Sequence, residues 1–179
     1  MDWQKHFVRQ TDYQIWANEI LFDALAHLEE SALREPQGLF FTSIHHTVDH
    51  MLAALDLWSA RLQGEPIHLD LNVIRYPDWS DLRHHLQDEL RRFRHWLEGR
   101  PASFFAERIA YARLGGASER NAITDILTHL MNHFTHHRGQ ISAVATRLGA
   151  PAPEMDYIYY VRAMETAARE RQAQIAAQQ

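Results

Sequence analysis

The sequence predicts an all-α protein, a four-helix bundle with a short additional C-terminal helix, and three observations carry that prediction. Four long stretches repeat apolar residues at intervals of three and four, the spacing that gathers side chains on one face of a helix. Gly and Pro fall between these stretches and not within them, apart from one glycine at position 139. At 179 residues, 46% hydrophobic and 23% charged, the chain is expected to form one domain, residues 1–179, around an ordinary core.

The first stretch covers residues 3–27, with Phe7, Ile15, Phe22, Leu25 and Leu28 along one side before Pro36 and Gly38 interrupt it. The second begins near Thr42 with the stripe Ile44, Val48, Met51, Leu55, Trp58 and Leu62, and Gly64 and Pro66 stop it. Asp78 is a candidate N-cap for the third, which carries Trp79, Leu82, Leu86, Leu90, Phe93 and Leu97 and ends at Gly99 and Pro101. Residues 104–116 alternate loosely, which fits a hairpin or an irregular crossover as well as a helix. Ser118 is a candidate cap for the fourth helix, whose stripe runs Ile123, Leu127, Leu130, Phe134, Ile141, Val144 and Leu148 to a stop at Gly149 and Pro151. A shorter fifth helix follows Pro153 through Met155, Ile158, Tyr159 and Met164, and the Ala/Gln/Glu/Arg tail after Thr166 is expected to fray.

Composition excludes several functions. The formal charge is -5 and Lys5 is the only lysine among 18 basic residues, so there is no general basic surface for nucleic acid. No apolar run is long enough for a membrane span, and the polar start lacks the order of a secretory signal, so a cytoplasmic protein without a membrane partner is expected. Cysteine is absent, which removes disulfides, thiolate ligands and a cysteine nucleophile. Thiol chemistry would need a thiol from outside.

Histidine is where the sequence points to chemistry. His133 and His137, four apart in N-H-F-T-H-H-R-G-Q (residues 132–140), lie on the apolar stripe and can reach one ion. A third imidazole must come from another segment, and His50, just before the apolar run 51–55, is the best placed. Three neutral nitrogens leave a position open for water or substrate, the arrangement of a reactive metal. Zn or Ni is the expected ion and Fe the next candidate. His46 forms an i,i+4 pair with His50, so a four-histidine site stays open, although polar neighbours read His45 and His46 as a solvated helix start. The roles of His129 and His136 are undecided. His27, His68, His84, His85 and His95 stand among charged residues and read as surface. A zincin requires Glu after the first His, where this chain has Phe134; a di-iron bundle requires two Glu-x-x-His motifs, and none is found.

Other residues take the structural reading first. Trp16, Trp58, Trp79 and Trp96 at helical spacing fit core or interface packing. Arg138 fits an exposed ion pair better than a clamp for an anion. Gly139, in mid-helix, predicts the close approach of another backbone.

The motifs together resemble the DinB/YfiT-like family of metal-binding helical proteins. Tyr-Gln-Ile-Trp-Ala-Asn at residues 13–18 resembles its first-helix signature; Thr-Val-Asp-His at 47–50, followed by Trp58 and residues 60–62, is similar to its second-helix motif. The run at 132–140 and the Gly/Pro loop at 148–160 complete the likeness. The family's ligand triad falls on His50, His133 and His137. A family acidic residue five positions after the second-helix His is Leu55 here, with Asp56 one position later, which places any supporting role of that carboxylate in doubt. The resemblance implies a homodimer and, as partners, a small-molecule thiol and an electrophilic substrate. The function expected is therefore metal-dependent thiol transfer, against a metal-dependent hydrolase or a non-catalytic metal-stabilised stress or interaction protein; no catalytic residue beyond the ligands is assigned.

Overall fold

The computed structural model describes residues 1–70, 73–113 and 116–178. Six helices and one hairpin are present among them: α1 (Trp3–Leu25), α2 (Glu30–Arg34), α3 (Ile44–Gln63), α4 (Trp79–Glu98), β1 (Arg108–Ala112), β2 (Ser118–Ala122), α5 (Ile123–Arg147) and α6 (Tyr157–Ala177). None of these helices is long and apolar enough to cross a membrane.

Four helices form the bundle, and each apolar stripe faces its centre. α1 packs on α4 and α5, and α3 packs on the same two, so α1 and α3 lie across the bundle from each other. Two long connections, residues 26–43 and 99–122, therefore cross the bundle at opposite ends, the second beside the start of α1, where Phe105 stacks on Phe7. Phe7, Leu21, Val48, Leu55, Leu86, Leu90, Leu127 and Phe134 form one continuous core. Burying each such side chain stabilises the fold by about 1.5–3 kcal/mol.

Helix ends follow local chemistry where the sequence supplies a cap. Asp78 accepts a hydrogen bond from the Asp81 amide at 2.9 Å, and Ser43 accepts one from His46 at 3.1 Å. Gly64 ends α3 in the left-handed region at φ 73°. Ser118 does not cap α5. It opens β2, which pairs antiparallel with β1 from Arg108↔Ala122 to Ala112↔Ser118, and α5 starts directly after the hairpin without a side-chain cap. The hairpin alternative for residues 104–116 is the one observed, although residues 114 and 115 lie outside the described residues.

Two elements depart from the expected outline. The one-and-a-half-turn α2 interrupts the first connection. α6 runs 21 residues to Ala177, longer than a short helix with a frayed tail, although only Tyr160 of it is buried. Its start docks on α1 through Tyr13, Trp16 and Tyr160. The rest carries good helix formers such as Ala, Arg, Glu and Gln, so propensity without burial accounts for its length.

Gly139 overturns the expectation of a close backbone. A Cβ built there meets nothing within 4 Å, and its conformation is ordinary helix. Gly139→Ala is therefore expected to stabilise the protein by about 1 kcal/mol and raise Tm by roughly 2–4 °C. A lowered Tm in thermal melts would mean that the site is covered in solution.

Candidate metal centre

α3 and α5 lie side by side, and their facing stripes bring three imidazoles together. His50 Nε2 stands 3.1 Å from His133 Nε2. The His133 and His137 ring centres are 4.4 Å apart and those of His50 and His137 5.0 Å. One nitrogen from each of the three lies within 4.8 Å of the others. A tetrahedral ion with Zn–N bonds of about 2.0–2.1 Å holds its nitrogens roughly 3.4 Å apart. The cluster is thus within small side-chain rotations of a coordinating geometry, and it could hold a metal ion.

Electrostatics fit the same use. Burial, and then the neighbouring His137 and His50, push the His133 pKa down from 6.5 to about 3. His137 is also lowered, chiefly by burial. Both rings stay neutral near pH 7, the form that offers a lone pair to a metal. Gln140 Oε1, one turn further along α5, lies 2.9 Å from His137 Nδ1. With the proton assigned to Nδ1, that ring donates to Gln140 and leaves Nε2 as the ligand atom.

The site is walled on one side and open on the other. Phe41 stacks on His50 with ring centres 3.7 Å apart and meets the edge of His137 at 5.8 Å. It is carried by a tight turn in which Thr42 takes φ 64°, a strained value for a β-branched residue. Opposite, His50 and His133 open onto a cavity of about 490 Å³ lined by Trp58, Arg61, Tyr111, Asn121 and His129. Its size suits a small molecule.

The remaining histidines separate cleanly. His129 is exposed on the cavity wall, 5.5 Å from the Trp58 ring, and His136 is exposed beside His137. Neither belongs to the cluster, nor does His46, which packs on Phe41 at 5.6 Å. His45 corrects the solvated reading. It is only 1% exposed, as are Thr47 and Asp49. The reason is a segment distant in sequence: His45 Nε2 donates to the Tyr76 carbonyl at 2.8 Å, and Asp49 accepts from the Arg75 and Tyr76 amides at 3.1 and 3.0 Å. Asp56 pairs with Arg75 at 2.7 Å and stands apart from the cluster. Arg138 is no surface ion pair either: it is 1% exposed between α1 and α5, bonded to Gln14 and Asn18. Of the four tryptophans read as packing, Trp58 also forms the cavity wall. Sequence reasoning missed Gln140, whose position three after His137 could have found it, whereas Phe41, Tyr111 and Asn121 come from separate segments and carry no local sign.

A family model described as the DinB family matches residues 4–172. The chain belongs to the DinB family. Protein DinB of Bacillus subtilis (strain 168) is 21% identical over 156 residues, covering 84% of this chain and 90% of that protein. Among solved structures, Bacillus subtilis YfiT superposes with a TM-score of 0.64 at 16% identity, over 83% of this chain and 89% of that one. YfiT is described as a probable metal-dependent hydrolase with an unusual four-helix bundle topology. The likeness establishes the bundle fold for this DinB-family chain.

The His133 shift sets a pH dependence. An imidazole in the unfolded chain takes up its proton near ~6.5, while folded His133 resists protonation to about 3. Protons thus favour the unfolded chain. The stability involved is complete above pH ~6.5 and is lost as pH falls towards the folded value. Melts in chelator should show Tm falling over that window, with a shallower slope in His133→Ala. Equal slopes would contradict the shift.

Proposed function

We propose that this DinB-family protein is a metal-dependent enzyme of the thiol-transfer type, with His50, His133 and His137 holding Zn or Ni. The observation that carries the proposal is the cluster itself: three imidazoles, with neutral His133 and His137, of which His50 and His133 line a cavity in a chain that has no cysteine. A bound ion would supply Lewis acidity that favours the thiolate form of an external thiol. The chain's own part is positional. Gln140 orients His137, Phe41 closes the rear of the cluster to water, and Trp58 with Tyr111 lines the cavity that would take the electrophile. His129 on the cavity wall is the side chain placed to accept the proton released by the thiol.

Hydrolysis is the second reading. Glu119 lines the same cavity, which supports it, but its carboxylate lies 3.6 Å from Arg113 at the rim and is less available as a base. The test is a turnover assay on metal-loaded protein with a panel of small thiols and a chromogenic electrophile, beside nitrophenyl esters without thiol. Thiol-dependent product that disappears in His50→Ala is expected. Ester hydrolysis without any thiol transfer would replace this reading by the hydrolase.

A further inference from the structure

The geometry points to Arg61 as a specificity-determining residue that receives a carboxylate carried by the small molecule occupying the cavity beside the three histidines. This rests on the reading of that cavity as the reaction site.

Arg61 and His50 share a face of α3. Eleven residues make three turns with about 20° left over, and the rise between them is roughly 16 Å. The cavity follows that face, with Ala54, Leu57 and Trp58 between the two ends. At the far end the Arg61 guanidinium lies against two rings that meet edge to face, 4.7 Å from the Trp58 centre and 4.6 Å from that of Tyr111. Its Nη2 donates to the Ala112 carbonyl at 2.8 Å. Its position is therefore set before any ligand arrives.

What Arg61 lacks is an anion. Among the described residues it forms no ion pair, although burial disfavours its charge. Arg75 and Arg94, also half-buried, each face a carboxylate, Asp56 and Asp12. Arg113 at the rim faces Glu119. A guanidinium resting on two rings with one bond to a carbonyl keeps further N–H donors, and a planar carboxylate can accept two of them at once. One unmatched cation matches a single negative charge, which favours a carboxylate over a phosphate. Asn121 adds a donor: its Oδ1 accepts from Tyr111 Oη at 2.8 Å, leaving the amide nitrogen for a ligand in the same cavity. The recognised molecule has its reacting atom at the histidines and its carboxylate several bonds away.

The carboxylate belongs either to the thiol or to the electrophile, and matched pairs tell the two apart. Calorimetry on metal-loaded protein would compare glutathione with its diester, and 4-chloro-3-nitrobenzoate with the corresponding amide. In at least one pair the acid should bind about tenfold or more tightly than its neutral partner, and that pair identifies the carrier. Arg61→Met keeps an apolar stem against the rings and should abolish the preference. Arg61→Lys, which keeps the charge without the fork, should retain part of it, and Arg113→Gln should leave most of it. No acid preference in the native protein would overturn the assignment whatever the variants do. So would an equal loss for both members of a pair in Arg61→Met, the signature of a residue that only staples β1 to α3. His133→Ala separates the two readings: acid preference that persists there, with no turnover by native protein, leaves Arg61 as an anion receptor and removes the enzyme.

Discussion

Replacing His133 with Ala is expected to abolish stoichiometric binding of a divalent ion while leaving the bundle folded. His133 is half-buried at the edge of the core and, among the described residues, its ring hydrogen-bonds only to His50, so its removal deletes a ligand without opening the centre of the bundle. A supporting residue around a metal site is worth 10–100-fold in affinity, so loss of a direct ligand should cost at least about 100-fold. Native protein should carry one ion per chain by elemental analysis. With free metal near a thousand times Kd, binding adds about 4 kcal/mol to stability, and at roughly 2–4 °C per kcal/mol for a chain of this size chelation should lower Tm by about 8–16 °C. In His133→Ala the chelator should have little effect. The assignment fails if His133→Ala and His137→Ala both fold and keep a full complement of metal.

The bundle was legible because its evidence is local. Stripes such as Leu82, Leu86, Leu90 and Phe93, and caps such as Asp78 and Gly64, act within one helix and leave their mark within a few positions. The His133 and His137 pair was legible for the same reason, and His50 followed from its place just before the apolar run 51–55. What sequence reasoning misread depends on partners far along the chain. Ser118 reads as a cap until Ala112 pairs with it. His45 reads as solvated until residues 75 and 76 close over it and Asp49. Tyr111 reaches the cavity only because the hairpin folds back against α3, where Arg61 lies against it. Gly139 misled in the other direction: nothing in this chain explains its place in mid-helix.

Arg138 is expected to be the residue whose loss costs the fold most, although it sits beside a ligand and looked like a surface cation. It is 1% exposed, and its charge has no acidic partner among the described residues. Neutral groups hold it instead: Gln14 Oε1 at 2.5 Å, Asn18 Oδ1 and Thr135 Oγ1 each at 3.3 Å, and the face of Tyr13 at 5.2 Å. Burial pushes its pKa down, but a guanidinium starts so high that it keeps its proton. Arg138 thereby clamps α5 to α1, and the clamp has no spare capacity, because Gln14 Nε2 and Asn18 Nδ2 already make no hydrogen bond. Arg138→Ala would leave both amides wholly unpaired and open a cavity as well. Breaking such a buried charged contact costs about 3–5 kcal/mol, or roughly 6–20 °C in Tm at this chain length. Arg138→Met fills the space and removes the buried charge, so it should lose less than Ala even though Gln14 and Asn18 still lack their donor. Thermal or urea denaturation of the two variants decides the matter. A change within about 0.5 kcal/mol in Arg138→Ala, the ordinary range for a surface substitution, would return Arg138 to the exposed position its neighbours in sequence suggested.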